Sequence, residues 1–239
     1  MTDHDLLMLD ITANVQSVLK SIHAAMVQAG RDPHTVQLVA VTKYVEAERV
    51  RQAIAAGITI CGENRLQEAQ AKMEAIGASP GLIWHFIGRV QRRKLKSMVG
   101  RFSVIHSIES LEHIEELHRR AEERQLQQSI LLQVNIGNES TKGGFSASDL
   151  LKAIPGIARF SHVKVDGLMA IPPREEDPEA MRPYFQKVKI LAEEIDALHL
   201  PGVEMKELSM GMSNDYPIAI QEGATMVRIG SAVFGDRPQ

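Results

Sequence analysis

The fold of this 239-residue chain is restricted most by a rhythm of eight short apolar runs separated by longer stretches with helical spacing. The runs lie at 36–42, 58–61, 83–88, 103–108, 130–135, 163–170, 207–210 and 225–230. In the first, five of seven residues are apolar and three are valines, which suits a strand covered on both faces. Helical patterns occupy 46–54, 65–76, 92–98, 110–124, 148–154, 177–198 and a segment ending at Gln221. Pro183 lies too deep in 177–198 for one uninterrupted helix, so its regular part is expected to start later. A further helix is expected ahead of the first strand, over 5–29. Its apolar stripe holds Leu6, Leu9, Val15, Val18, Leu19, Ile22 and Met26, and Gly30 would cap it. Alternating units pair in parallel, and eight of them in about 200 to 250 residues are what a closed TIM-type (β/α)8 barrel needs. The expected architecture is thus a single α/β barrel domain over 1–239 with an additional N-terminal helix. An open doubly wound sheet has the same periodicity and competes with it.

Composition narrows the partners. With 44% hydrophobic and 24% charged residues and a net charge of −3, nothing global favours nucleic acid or an anionic membrane. Cys61 is the only cysteine, which rules out an intrachain disulfide framework and a cysteine-based metal cluster. The acidic start, Met1-Thr2-Asp3-His4-Asp5, does not read as a secretory signal, and no apolar run is long enough to span a bilayer. A cytoplasmic protein is expected, and a monomer, since a complete barrel needs no partner to close it.

In a barrel of this type, chemistry gathers at the C-terminal ends of the strands. Lys43, Asn64, residues 85–88, Asn135, Met169, 209–213 and 228–231 all fall there. Lys43 follows the first strand, where a partly desolvated lysine can offer a neutral amine to an aldehyde; a lysine that reaches into water is the bland alternative. Strands seven and eight are where such barrels frequently bind phosphate. There, Ser209-Met210-Gly211-Met212-Ser213 supplies hydroxyls and a glycine ahead of a helix, and Gly230-Ser231 allows close backbone approach. A plain N-cap at Ser213 or Asn214 and a tight turn at Gly230 are the structural alternatives. Arg228 interrupts an otherwise apolar strand and would either donate into the barrel mouth or pair with a barrel carboxylate. An amine and a phosphate site on opposite sides of one mouth suggest pyridoxal 5′-phosphate (PLP).

These segments also resemble a known family, the pyridoxal phosphate homeostasis proteins, which have the alanine racemase N-terminal barrel (fold type III). The resemblance rests on Leu38-Val39-Ala40-Val41-Thr42-Lys43, Gly62-Glu63-Asn64, and His85-Phe86-Ile87-Gly88 with Gln91 and Lys94. It continues through Gly167-Leu168-Met169, Ser209-Met210-Gly211-Met212-Ser213, and Arg228-Ile229-Gly230-Ser231 with Phe234-Gly235. It implies that Lys43 forms a Schiff base with PLP, that Ser213, Gly230 and Ser231, with Ser209 nearby, hold the phosphate, and that Arg228 faces the pyridine nitrogen. Asn64 is implied to lie near the ring. A permanent cation at the nitrogen keeps it unprotonated and makes the ring a poorer electron sink. Arg93 departs from the family's usual asparagine, which puts a role for its loop in doubt.

The resemblance further implies a non-enzymatic role: buffering PLP or delivering it to PLP-dependent enzymes. Racemases of the related fold use a second acid–base group from an additional β domain, and the chain ends at Gln239 just after the last strand. None of Tyr44, Tyr184 and Tyr216 is an evident substitute, although Tyr44 adjoins Lys43. A weak PLP-dependent racemase or transaminase is the alternative. Five cations in eight residues (Arg89, Arg92, Arg93, Lys94, Lys96) form a basic cluster without an aromatic platform, read as solvated or as a docking face for an acidic protein. His85 and His106 read as core or rim residues rather than metal ligands, Cys61 as buried and inert, and His113 and His118 as solvent-facing. The loop at 137–145 reads equally as a cover for the mouth or as flexible surface.

Overall fold

In the computed structural model, residues 10–235 are described, apart from 138, 140, 141 and 174. The expected helical positions Leu6 and Leu9 and part of the 137–145 loop lie outside them. Eight parallel strands close into a barrel in chain order: β1 (Gln37–Val41), β2 (Ile60–Glu63), β3 (Ile83–Phe86), β4 (Val104–Ile108), β5 (Gln128–Val134), β6 (Val163–Ala170), β7 (Val203–Ser209) and β8 (Met226–Ile229). β8 pairs with β1 to shut the ring, with Val39 opposite Arg228. The open-sheet alternative is therefore excluded.

The strands alternate with α2 (Ala47–Ala55), α3 (Leu66–Ile76), α4 (Leu95–Met98), α5 (Leu111–Glu122), α6 (Ala147–Ile157), α7 (Arg182–Asp196) and α8 (Tyr216–Gln221), and α9 (Ser231–Phe234) follows β8. Pro183 falls in the first turn of α7, after a separate 3-10 turn, where its missing N–H costs nothing. The extra helix α1 (Ile11–Gln28) is capped by Asp10, whose side chain accepts from the Ala13 amide at 3.0 Å. It is tied to the last unit of the barrel by Asn14 Nδ2, which donates to Val233 O at 3.1 Å. Arg31, just beyond it, donates to the carbonyls of Ile220 and Ala224, both at 2.8 Å.

Two apolar layers follow from strand alternation. Val39, Ile60, Leu131, Met169 and Met226 meet inside the barrel, while Leu38, Ala40, Phe86, Ile105 and their neighbours pack under the helices. Gly167 permits β6 and β7 to meet: a Cβ there would lie 1.8 Å from Glu207 O. Several strand boundaries shift from the sequence reading by one to four residues. β2 runs on through Gly62 and Glu63, and β7 starts four residues early, at Val203, where Glu204 and Lys206 interrupt the apolar pattern and pair with each other.

Candidate functional site

A cavity of about 860 Å³ opens at the C-terminal ends of the strands. Lys43, Ser213, Arg228, Gly230 and Ser231 all line it. β1 and β8 are neighbours, so the amine and the 230–231 turn are adjacent on the rim rather than facing each other across it, as the sequence reading had them. Lys43 is half-buried, two residues beyond β1. Tyr44, next in the chain, has φ +60 and turns the backbone sharply away.

The loop between β7 and α8 is shaped by Gly211, with φ +91 and space for a Cβ only 2.6 Å from Ala219 Cβ. Asp215 Oδ1 accepts from the Met212 amide at 2.6 Å and braces the same loop. The result brings Ser213 Oγ over the amides of Gly230 and Ala232, at 3.4 and 3.5 Å, so the loops after β7 and β8 converge on one hydroxyl.

Arg228 is 5% exposed, yet its guanidinium reaches the cavity wall. Nη1 donates to Ser209 O at 2.6 Å and Ser209 Oγ at 2.7 Å, and Nη2 to Ala170 O at 2.9 Å. Burial lowers its pKa to about 10, opposed by the nearby Asp215 carboxylate, so it stays a cation at neutral pH. Burial in turn pushes the Asp215 carboxyl up. Behind Arg228 a buried polar chain continues: Ser209 Oγ lies 2.9 Å from His106 Nδ1, and His106 Nε2 lies 2.9 Å from His85 Nδ1. Desolvation lowers the His85 pKa to about 4 and holds that of His106 well below the ordinary 6.5, so both rings are neutral. A neutral ring has one N–H and one lone pair, so proton placement along the chain must run in one direction.

Of the seven residues that the sequence assigned to the cofactor, five therefore meet at the cavity, and Ser209 and Asn64 do not line it. Ser209 is fully buried and contacts Arg228. Asn64 follows β2, and its buried Oδ1 has no hydrogen-bond partner among the described residues. Its backbone is pressed against Gly88, where a Cβ would lie 2.2 Å from Asn64 O. His85 and His106 are core residues, and no metal-binding cluster occurs among the described residues. Cys61 is buried and its thiol is pushed up to about 12, which makes it inert. His113 and His118 are half-buried instead of solvent-facing. Burial pushes the His113 ring down, and His118 packs on Phe160 with centroids 5.4 Å apart and accepts from the His162 amide.

Lys142 of the 137–145 loop lines the cavity, donating to Pro172 O at 2.9 Å. The basic cluster lies elsewhere: Arg89, Arg92, Arg93 and Lys96 are exposed, and none lines the cavity. Sequence reasoning missed Asp215, whose signal is an acidic residue three positions after the loop amide it accepts from. It also missed the group behind Lys43 in which buried Glu63 and Lys72 meet the half-buried Glu68. No helix among the described residues is long and apolar enough to cross a membrane.

The family model for the alanine racemase N-terminal domain matches residues 18–238. A pyridoxal phosphate homeostasis protein of Aquifex aeolicus is 41% identical over 220 residues, covering 92% of this chain and 95% of the relative. A solved structure of an unknown protein from Bifidobacterium adolescentis superposes with a TM-score of 0.88 at 33% identity, covering 94% of each chain. PipY of Synechococcus elongatus PCC7942, solved with PLP bound, gives a TM-score of 0.79 at 35% identity, covering 90% of this chain and 100% of that one.

Proposed function

Because the chain belongs to the pyridoxal phosphate homeostasis proteins, a family built on the alanine racemase N-terminal domain, we propose that it binds PLP in the barrel-mouth cavity and acts as a non-enzymatic buffer or carrier of that cofactor. The observation that carries this role is the meeting of three chemically distinct groups on one cavity: the Lys43 amine, the Arg228 guanidinium, and the hydroxyls of Ser213 and Ser231 beside Gly230. That donor set suits an aldehyde, a ring nitrogen and a phosphate on one small molecule. The cofactor would bring an electrophilic aldehyde to the site. Lys43 would condense with it as a Schiff base, its nitrogen taking the carbonyl carbon while the oxygen leaves as water. Ser213, Ser231 and the 230–232 amides would hold the phosphate. Arg228 would donate to the ring nitrogen without giving up its proton, which works against carbanion chemistry.

None of Tyr44, Tyr184 and Tyr216 lines the cavity, so none stands there as the second base of a racemase. Racemisation needs a proton-transfer group on each face of the substrate carbon. The test begins with borohydride reduction of the PLP-loaded protein, followed by mass spectrometry. A pyridoxyl adduct on Lys43, abolished in Lys43→Ala, is the expected result; an unmodified Lys43 sinks the covalent assignment. Deuterium exchange into free amino acids then separates the roles, and rapid exchange at the α carbon would overturn the non-enzymatic one.

A further inference from the structure

Behind Lys43, on the helix side of the barrel wall, lies a buried charged group that the cavity does not use. Glu63 ends β2 and is fully buried, and Lys72 on α3 is 6% exposed. Lys72 Nζ lies 2.6 Å from Glu63 Oε1 and 3.1 Å from Glu68 Oε1. Its remaining contact is with backbone: Nζ donates to Thr42 O at 2.6 Å. Thr42 Oγ1 donates to Glu63 Oε1, also at 2.6 Å. Glu68 Oε1 accepts from the amide of Tyr44.

The two backbone groups held here are the carbonyl of the peptide unit before Lys43 and the amide of the unit after it. A single ammonium, bonded to the first directly and to the second through Glu68, thus bridges the residues that flank the proposed reactive lysine. Stability alone is a poor reason for this arrangement. Burying an ammonium with carboxylates is costly, and apolar replacements of similar volume are often neutral or stabilising. Orientation is a better one, since Tyr44 takes up a left-handed φ of +60 that favours glycine and needs support from its surroundings.

We propose that Lys72, with Glu63 and Glu68, is a positioning cluster that aims the Lys43 amine into the cavity, a role that rests on Lys43 being the amine that condenses with PLP. Lys72 touches no ligand. It acts by clamping residues 42 and 44, so that Nζ of Lys43 stands where an aldehyde is presented. Its removal should weaken the covalent bond to the cofactor while leaving the non-covalent site intact.

The experiment compares wild type with Lys72→Met, which keeps the aliphatic stem and removes the ammonium. PLP binding is titrated and read as the reduced adduct on Lys43. In parallel, pyridoxine 5′-phosphate, which has an alcohol in place of the aldehyde and forms no Schiff base, is titrated by calorimetry. The expected result is a rise of about tenfold or more in the PLP concentration needed for half-maximal adduct, because small misplacements of reacting groups are costly. The alcohol should bind the variant as it binds wild type. An unchanged adduct midpoint overturns the positioning role, and so does an equal weakening of both ligands. No adduct on Lys43 in wild type overturns the Lys43 assignment and this role with it; an adduct in wild type and an identical one in the variant overturns only the role of Lys72. If Lys72→Met does not fold, Glu68→Ala frees the Tyr44 amide at the more exposed edge of the cluster, and the same two titrations decide.

Discussion

Lys43, just past the end of β1, and Arg228, on the neighbouring β8, line the same cavity, yet the chain holds them by different means. Arg228 is fixed through its own side chain, by neutral acceptors: two carbonyls and a hydroxyl inside the barrel. Around Lys43, charged groups outside the barrel wall grip its backbone neighbours, Thr42 and Tyr44. Each arrangement suits its cation. A guanidinium keeps its proton even when burial lowers its pKa, so it tolerates neutral partners in the dry interior. An amine proposed to condense with an aldehyde is served by a backbone held firmly on either side of it.

Replacing each cation by an apolar residue breaks this pairing most directly. Arg228→Leu strands the acceptors on Ser209 and Ala170 and leaves the buried Asp215 without its nearby cation, so it should cost about 3–5 kcal/mol. Lys43→Ala, at a half-buried tip, should cost less than about 1 kcal/mol. Urea unfolding of both variants measures the contrast. Equal losses would mean that Lys43 is as deeply built into the fold as Arg228.

The same division decides what the sequence makes legible. The eight units are visible because each apolar run and each helical stripe is a local pattern, and β6 lies at 163–170, the span read from the sequence. Lys43 is visible because a strand ends just before it. β2 is misread at its end because Gly62-Glu63 breaks the apolar run; the strand continues there, paired with His85 and Phe86, and the Glu63 carboxylate is met by Lys72 and Thr42. The contact with Lys72 depends on α3 folding back over the strand, which no local period reveals. The chain from Arg228 through Ser209 and His106 to His85 is hidden for a similar reason. Its members lie on β8, β7, β4 and β3, and they face one another only once the barrel is closed and its register set. Ser209 could thus be read as a ligand to phosphate, although its hydroxyl meets Arg228 and His106.

The neutral histidines make the Arg228 side of the site sensitive to acid. The His85 pKa falls from an ordinary 6.5 to about 4, so the folded chain binds fewer protons than the unfolded one between those values. The associated stability is complete above pH 6.5 and is lost as pH falls toward 4. By pH 5 the loss from His85 alone is about 2 kcal/mol, from 1.36 kcal/mol per pKa unit. His85→Gln, which keeps a hydrogen-bonding group near His106, should flatten the fall in unfolding free energy between pH 7 and pH 5 by that amount. Glu63 and Asp215, whose carboxyl pKa values are raised by burial, favour the folded state as pH falls and act alike in both proteins. Parallel pH profiles of variant and wild type would show that His85 takes up no proton on unfolding, and the chain behind Arg228 would then not be neutral.

Ser209 offers the finest cut between the two sides. Ser209→Ala keeps the backbone carbonyl that accepts from Arg228 Nη1 but deletes the hydroxyl shared by Arg228 and His106. The loss should be about 1 kcal/mol, the net worth of an ordinary hydrogen bond, because the guanidinium retains two carbonyl acceptors. Reduction of PLP onto Lys43 should be undiminished at saturating cofactor, since nothing in the deletion touches Thr42, Tyr44 or the cluster behind them. A lost adduct with unchanged stability would assign Ser209 to the cofactor itself and make the two sides of the cavity one cooperative unit. A small stability loss with an intact adduct would keep them separate: one side holding a fixed charge, the other aiming an amine.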